Sequence, residues 1–331
     1  MHRRRFLGSL AAGWALSGCR KAEPHKLVVA ATPYLAMAPL HLALERKYFE
    51  RAGFEIQLER LSGAGQGVAP MAGGKLDVSF ISVNAALVNA IIRGARIRLV
   101  AGREHTRPDC SQIGGLLYRR KSFPHGLDSG ESLKQLRGKR ISAALKGTGT
   151  TSFLFEQILQ GGGLTLDDVQ LLSLDATAVP AALAQGLLDA ALNSSSMETL
   201  PERYAAEIGH SGIAAKLFPD FQASFIVFGS RLLDGDPAIG RRFLSIYHGA
   251  VREYVRGAEP AFLTEYAQSR KLDLAALRKS CRTNVSLDGA LDLKSIQTFL
   301  DWAARRRFTD RVLKAEEIVD TRFLEAARRS S

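Results

Sequence analysis

The sequence predicts an α/β fold made of two lobes with mainly parallel sheets. Short runs rich in Val, Ile, Leu and Phe alternate with longer stretches of helical period, a pattern that is typical of βαβ units. The chain has 331 residues, which is more than a single domain usually holds. Two lobes, each with its own sheet, are therefore expected.

The first lobe is predicted over residues 26–119 and 222–331. Its strand candidates are 26–32, 54–61, 77–82, 96–101, 114–118 and 223–228. A helix over 39–51 has an amphipathic pattern and ends near Gly53, and Asn84 is placed to cap a second helix that ends before Gly94. Further helices are predicted over 239–256, 259–269 and 286–304.

The second lobe is predicted over residues 120–221. It has strands at 140–145, 169–174 and 189–192, separated by helices near 150–160 and 178–185. A polar loop over 122–130, which contains Pro124 and Gly126, is predicted to carry the chain from the first lobe into the second. The strand at 223–228 then returns the chain to the first lobe.

Residues 1–18 have the three parts of an export signal. Arg3, Arg4 and Arg5 form a basic start, a short apolar stretch follows, and small residues precede Cys19. The apolar stretch is too short to span a membrane. The sequence LSGC at 16–19 resembles the lipobox of bacterial lipoproteins, and RRRFL at 3–7 resembles a twin-arginine signal. We predict cleavage before Cys19, a lipid on Cys19, a tether over 19–25, and a periplasmic protein anchored to a bacterial membrane.

The chain is basic and has few cysteines. Loss of the three leader arginines lowers the net charge from +12 to +9. A basic balance suits nucleic acid, anionic lipid or anionic solutes, and export argues against nucleic acid as a partner. Cys110 and Cys281 have no CxxC or metal-ligand spacing, so two separate buried thiols are favoured over a disulfide, and no metal or cofactor is predicted.

Several segments, taken in order, resemble one family of binding proteins. They are KYFERAGFEI at 47–56, AGGKLDV at 72–78, the helix–glycine–strand pattern of 91–100, LKQLRGKRI at 133–141, GLTLDDV at 163–169 and ALAQGLLDA at 182–190. This order is similar to the solute-binding proteins of ABC importers for nitrate, sulfonate, taurine and thiamine-precursor pyrimidines, over Leu27 to Trp302. The resemblance implies a type II periplasmic-binding fold, a monomer, and delivery of a small-molecule solute to a permease with its ATPase.

Polar turns follow most of the predicted strands and form the candidate binding site. In open α/β sheets, ligands bind beyond the carboxyl ends of the strands, where turns into helices present peptide N–H groups. Each hydroxyl or amide in these turns could also cap its own helix. The glycine-rich turn at 147–151 lacks the ending of a P-loop and the spacing of a dinucleotide site. The candidate ligand-binding residues are Thr32, Tyr34, Ser62, Gly63, Ser82, Asn84, Thr148, Gly149, Thr150, Thr151, Asn193 and Ser194.

These turns favour an anionic or oxygen-rich solute of the sulfonate, taurine or nitrate class, captured by closure of the lobes. A neutral heterocycle, such as a pyrimidine or a flavin precursor, is the alternative ligand. Two other classes remain open: an enzyme resembling those of pyrimidine synthesis, and a sensory lipoprotein. The histidines are scattered and the chain has no HExxH or G-x-S-x-G motif, so we predict a binding protein with no catalytic residues.

Overall fold

The computed structural model describes residues 23–61, 64–107, 115–142, 148–172, 174, 178–193, 200–279, 282 and 284–324. Two five-stranded sheets, flanked by helices, organise these residues. The strand order is β2-β1-β3-β10-β4 in the first sheet and β7-β6-β8-β5-β9 in the second. The predicted two-lobed α/β fold is therefore confirmed.

The strands are β1 His25–Ala31, β2 Phe54–Arg60, β3 Val78–Ile81, β4 Arg98–His105, β5 Gly115–Arg119, β6 Arg140–Ser142, β7 Gln170–Leu172, β8 Ala190–Asn193, β9 Ile208–Ser211 and β10 Gln222–Phe228. The helices are α1 Ala38–Glu45, α2 Tyr48–Arg51, α3 Val68–Ala72, α4 Ala85–Ile92, α5 Gly130–Leu133, α6 Thr150–Gly161, α7 Val179–Gln185, α8 Ile213–Leu217, α9 Ser230–Asp234, α10 Pro237–Val255, α11 Phe262–Arg270, α12 Leu274–Lys279 and α13 Leu293–Arg305.

Within the described part of the chain, each sheet has one reversed strand. In the first sheet, β1 pairs in parallel with β2 and β3, whereas β10 is antiparallel to β3 and β4. In the second sheet, β6 pairs in parallel with β7 and β8, whereas β5 is antiparallel to β8 and β9. The reversed strand is in both cases the first strand after the chain arrives from the other sheet. The remaining strands share one direction, so their carboxyl ends lie on one edge.

Strand β5 belongs to the second sheet, although the sequence analysis grouped 114–118 with the first lobe. It pairs with Ala190–Asn193 and Ile208–Ser211, so the chain crosses between His105 and Gly115 and not in the loop at 122–130. Leu116 and Leu117 are fully buried, one on each face. A strand that is apolar on both faces carries no sequence signal for the sheet that it joins. Strand β9 was not predicted, because its residues do not alternate between apolar and polar.

Thr106 holds the two crossing segments together. Its N–H donates to the Phe221 carbonyl (2.9 Å), and its carbonyl accepts from the Asp220 N–H (3.0 Å). Its hydroxyl donates to the Phe218 carbonyl and accepts from the Phe221 N–H. Because Thr106 is fully buried, these bonds are shielded from water, and the segments at 106 and 218–221 form one paired connection between the sheets.

Two helix boundaries differ from the predictions. The predicted helix over 286–304 begins only at Leu293, with the Asp292 side chain accepting from the Lys294 N–H as the cap. The residues before it run along the outer edge of β4, where the Gly102 N–H donates to the Gly289 carbonyl (2.8 Å). The predicted helix over 39–51 breaks in two at Lys47, which is left-handed (φ 55°). The pairing of a segment with the edge of a sheet and the left-handed backbone of a single residue depend on tertiary structure, so helical periodicity in the sequence does not predict them.

The two Gly-x-x-Asp motifs of the sequence, at 74–77 and 186–189, each place an aspartate where it bonds to a neighbouring strand. We call each aspartate with its bonded strand an aspartate clasp. The Asp77 carboxylate accepts from the Val28 N–H of the neighbouring β1 (2.8 Å), and the Asp189 carboxylate accepts from the Arg140 N–H of the neighbouring β6 (3.0 Å). Arg231 donates to Asp77 (3.1 Å), and the Arg140 side chain donates to both oxygens of Asp189. Each aspartate directly precedes a strand, β3 or β8, and therefore joins the amino end of that strand to its parallel neighbour, on the side away from the candidate site.

The two aspartates differ in the direction of their pKa shifts. Burial raises the pKa of Asp77 above its usual value, against the opposing effects of the Val28 N–H and Arg231. Burial also acts upward on Asp189, but hydrogen bonds from Arg140 and Ser122 outweigh it and lower the pKa of that carboxyl. One motif thus produces two different electrostatic settings, because Asp189 receives more charged and polar donors than Asp77 does.

Helix α13 of the first lobe packs against α6 of the second. The Phe153 ring lies 5.2 Å from Phe221 and 5.7 Å from Trp302, measured between centroids. The Trp302 indole N–H donates to Glu156 (3.0 Å), which also pairs with Arg306 (3.3 Å). A single apolar cluster consequently includes buried residues of both sheets.

Candidate functional site

The structure brings two of the predicted turns into direct contact. Asn84, which follows β3, forms an isolated antiparallel bridge with Gly149, which precedes α6. The Ala85 N–H donates to the Thr148 carbonyl (2.9 Å), and the buried Thr150 hydroxyl donates to the Val83 carbonyl (3.2 Å). The carboxyl edges of the two sheets therefore meet where α4 and α6 begin.

Asn84 is a helix cap in this structure. Its side-chain oxygen accepts from the Leu87 N–H (3.0 Å), and its side-chain nitrogen donates to the Ser82 carbonyl (3.1 Å). These bonds satisfy the first turn of α4 and fix the 82–84 turn. For Asn84, the capping alternative raised by the sequence is correct, and this residue positions the turn.

The start of α6 is different, because it has no side-chain cap. Gly149 occupies the cap position, the helix has 12 residues, and its first turn contains no acidic residue. Thr150 directs its hydroxyl to Val83, whereas Thr151 is exposed. The first N–H groups of a helix and its dipole favour a negative group at this end. The α6 N-terminus is therefore suited to an anion at the junction of the lobes.

The turn after β1 lies on the same edge. Val29 pairs with Val78 in parallel register, so the turn after β1 and the turn after β3 both lie beyond the carboxyl ends of their strands. Thr32 is 5% exposed and its carbonyl accepts from the Tyr34 N–H (2.9 Å). Tyr34 is 40% exposed, so its ring is available at this edge and Thr32 is not.

The structure describes only some of the remaining candidate ligand-binding residues. Ser62, Gly63 and Ser194 lie outside the described residues, as do the cysteines at 19, 110 and 281. Asn193 ends β8 and pairs with Gly115. These positions remain predictions.

Sequence reasoning missed a buried ion pair at the carboxyl end of β4. The Arg103 guanidinium lies 2.9 Å from the Glu104 carboxylate, with the two side chains 5% and 11% exposed. Ser224 donates to Glu104 (2.8 Å), and the guanidinium lies 5.6 Å from the Phe80 ring centroid. The Arg103 Nε has no hydrogen-bond partner in the part of the chain that the structure describes. The predicted strand ends at residue 101, whereas β4 continues to His105 and includes both charged residues.

A groove of about 390 Å³ lies elsewhere, beside Pro24, Leu44, Phe49 and Phe54. Because β1 and β2 begin there, it faces the edge opposite the meeting turns and is separate from the candidate site. The described residues contain no group of three or more His, Cys, Asp or Glu side chains placed to hold a metal ion. Nor do they include a helix with the length and apolarity that a membrane crossing requires.

Comparison with known protein families identifies the chain. The model of the NMT1-like family matches residues 20–213, which is more than half of the sequence. The protein belongs to the NMT1-like family. No curated protein matches this member of the family.

Solved structures share the fold of this NMT1-like protein. The alkanesulfonate-binding protein SsuA from Xanthomonas axonopodis pv. citri, bound to MOPS, has a TM-score of 0.68 at 18% identity and covers 91% of this chain and 99% of its own. The periplasmic aliphatic sulphonate binding protein SsuA from Escherichia coli has a TM-score of 0.67 at 14% identity, covering 90% and 98%. The desulfurization enzyme DSZB has a TM-score of 0.57 at 15% identity, covering 92% and 99%.

Proposed function

We propose that this protein is an extracytoplasmic solute-binding protein that captures a small anionic solute between its lobes. The observation that carries the proposal is the α6 N-terminus, which has no side-chain cap and meets the 82–84 turn of the other lobe. Family membership and the fold shared with two sulfonate-binding proteins support this function. A sulfonate, with three acceptor oxygens, suits a site built from N–H and hydroxyl donors.

Closure of the lobes is part of this proposal. We expect the sheets to rotate about the paired segments at Thr106 and 218–221, so that the turns at 82–84 and 148–150, which are in contact in this structure, separate in an open form. A solute that contacts both turns binds the closed form better than the open one and shifts the population toward it. The closed form is then the signal that an ABC permease, with its ATPase, recognises.

The proposal also includes the predicted location of the protein in the periplasm and its lipid anchor. A lipid on Cys19 and a tether over 19–25 would hold a monomer in the periplasm beside its permease. Two acyl chains would anchor it more stably than one. The lobes are proposed to divide near the predicted limits of 26–119, 120–221 and 222–331, except that β5 pairs within the second sheet.

Binding is favoured over catalysis by the chemistry of the turns. The segments TPY at 32–34, SVN at 82–84 and TGTTS at 148–152 contain no His, Cys, Asp or Glu. They offer donors that hold an anion, but none of the imidazole, carboxylate or thiol groups that commonly act as general bases. The resemblance to DSZB is one of fold, and catalytic residues are a separate property.

Trp302 provides the test. In a Trp14→Phe background it is the only tryptophan, and it bonds across the lobe interface to Glu156. We would titrate this protein with MOPS, ethanesulfonate, taurine, nitrate, a pyrimidine and riboflavin, following Trp302 fluorescence and the melting temperature. A sulfonate is expected to give a saturable fluorescence change and to raise the melting temperature by mass action.

Matched threonine variants locate the site. Thr151→Val removes an exposed hydroxyl at the α6 N-terminus and is expected to weaken sulfonate binding by about 2- to 10-fold, the effect of one hydrogen bond. Thr298→Val removes an exposed hydroxyl on α13 that donates to the Lys294 carbonyl, and should leave affinity unchanged. Binding of only the neutral heterocycles, or of none of the solutes, would overturn the proposed function.

A further inference from the structure

Helix α11 ends at the turn that follows β1. Arg270, the last residue of α11, donates from Nη2 to the Pro33 carbonyl (2.7 Å). The helix is held in place by an apolar cluster that joins it to α1 and α10 and includes Leu35, Leu42 and Leu263. Arg270 is thus fixed beside the β1 turn although it is 237 residues away in sequence.

Arg270 has an aromatic setting and no acidic partner. Its guanidinium lies 4.7 Å from the Tyr266 ring centroid. No carboxylate among the described residues forms an ion pair with it. Burial raises the pKa of Tyr266, while the charge of Arg270 acts downward and Tyr34 acts upward, so the three side chains lie within electrostatic range of one another. The group combines one uncompensated cation with two rings, of which Tyr34 is 40% exposed.

This group lies at the edge where the lobes meet. Pro33 follows the carboxyl end of β1, and β1 pairs in parallel with β3 at Val29 and Val78. The guanidinium bonded to Pro33 therefore lies at the sheet edge that also carries the 82–84 turn, because parallel strands have their carboxyl ends on one edge. Arg270 of the first lobe and the α6 N-terminus of the second therefore both present positive charge on the carboxyl edges of the sheets.

We propose that Arg270 binds the acidic group of the solute and that Tyr34 and Tyr266 pack against its organic part. This inference rests on the proposed function and narrows its ligand to an organic anion with a planar or apolar body, which excludes nitrate as the natural solute. A guanidinium and a sulfonate or carboxylate form parallel hydrogen bonds, and aromatic rings take up the adjoining apolar surface.

The test compares two probes of nearly equal shape and different charge. Benzenesulfonate and benzenesulfonamide would be titrated into the Trp14→Phe protein and into Arg270→Gln, Arg270→Lys and Arg305→Gln in that background. Arg305 is an exposed arginine at the end of α13 and provides the matched charge control. Arg270→Gln is expected to weaken benzenesulfonate binding by about 10- to 100-fold and to change benzenesulfonamide binding little. Arg270→Lys should recover part of the loss.

The outcomes separate the two proposals. If the protein binds benzenesulfonate and Arg270→Gln behaves as Arg305→Gln does, the role of Arg270 is wrong and the proposed function stands. Equal losses for both probes would show that Arg270 only holds α11 in place, which also overturns the inference. If the unaltered site binds neither these probes nor any solute of the wider panel, the proposed function fails and this inference fails with it.

Discussion

The buried Arg103–Glu104 pair allows a quantitative prediction about stability. Arg103→Met removes the cation and leaves the Glu104 carboxylate with two donors among the described residues, Ser224 (2.8 Å) and Asn284 (3.4 Å). Glu104→Gln leaves a guanidinium that is 5% exposed and whose Nε already has no acceptor. Removing one partner of a buried pair typically costs about 3–5 kcal/mol, because the remaining charge is neither solvated nor paired.

The double variant Arg103→Met/Glu104→Gln should be more stable than either single variant. It removes both charges and keeps an amide that can accept from Ser224, so we expect a loss of about 1–2 kcal/mol and a coupling energy of about 4 kcal/mol or more. At about 2 °C per kcal/mol for a chain of this size, each single variant should melt about 6–10 °C lower. Differential scanning calorimetry and urea unfolding at pH 7 measure both quantities.

Additive losses in the double variant would refute this reasoning. Additivity would mean that the two side chains contribute separate packing and that their charges do not depend on each other. Arg96→Met is a suitable control, because Arg96 pairs with Asp234 on the surface with both side chains about half exposed, and such pairs contribute about 0–1 kcal/mol.

Three further predictions concern the lobe interface and the aspartate clasps. Thr150→Val removes the donor to the buried Val83 carbonyl, and should lower sulfonate affinity by about 5- to 30-fold; unchanged affinity in a fluorescence titration would contradict it. Glu156→Ala removes the acceptor of the Trp302 N–H and should shift the fluorescence emission to longer wavelength, whereas an unchanged spectrum would show that this contact is not formed in solution. Asp189→Asn should destabilise at neutral pH, and Asp77→Asn should gain stability relative to the unaltered protein as the pH rises; parallel pH profiles would contradict this pair.

The pH dependence follows from the opposite pKa shifts. The folded pKa of Asp189 is lowered, so its stabilisation is complete above the unfolded value of about 4 and is lost as the pH falls through the folded value. The folded pKa of Asp77 is raised, so the native state holds that proton more tightly and the ionised form costs stability above about pH 4. Urea unfolding between pH 3 and 7 separates the two profiles.

The sequence predicted the site's local parts better than its long-range partners. Turns such as 82–84 and 148–150 were identified because strand ends, glycines and hydroxyl residues are local signals, and the shared edge of parallel strands placed them together. Arg270 was not identified, since its proximity to Pro33 depends on how α11 packs against α1. No spacing or periodicity in the sequence reports that contact.

The fold shows the same difference between features set by local sequence and features set by long-range contacts. The strand pattern and most helices could be predicted from periodicity, and Asn84 was correctly placed as a possible cap. The position of β5 depended on pairing between residues about 75 to 95 apart, which a single sequence does not encode in any local pattern. The Arg103–Glu104 pair was missed for a related reason, because buried charges within a strand resemble the polar residues of a loop.

The hydrogen bonds of Thr106 to the segment at 218–221 have a consequence for how the affinity for a solute could evolve. One buried side chain bonds to both segments that connect the sheets, so under the proposed closure of the lobes a substitution there is expected to alter the balance of open and closed forms without touching the solute. Apparent affinity scales with the fraction of molecules already able to close. Selection could therefore adjust the solute concentration to which this protein responds from a position outside the cleft, while the chemistry that chooses the solute stays the same.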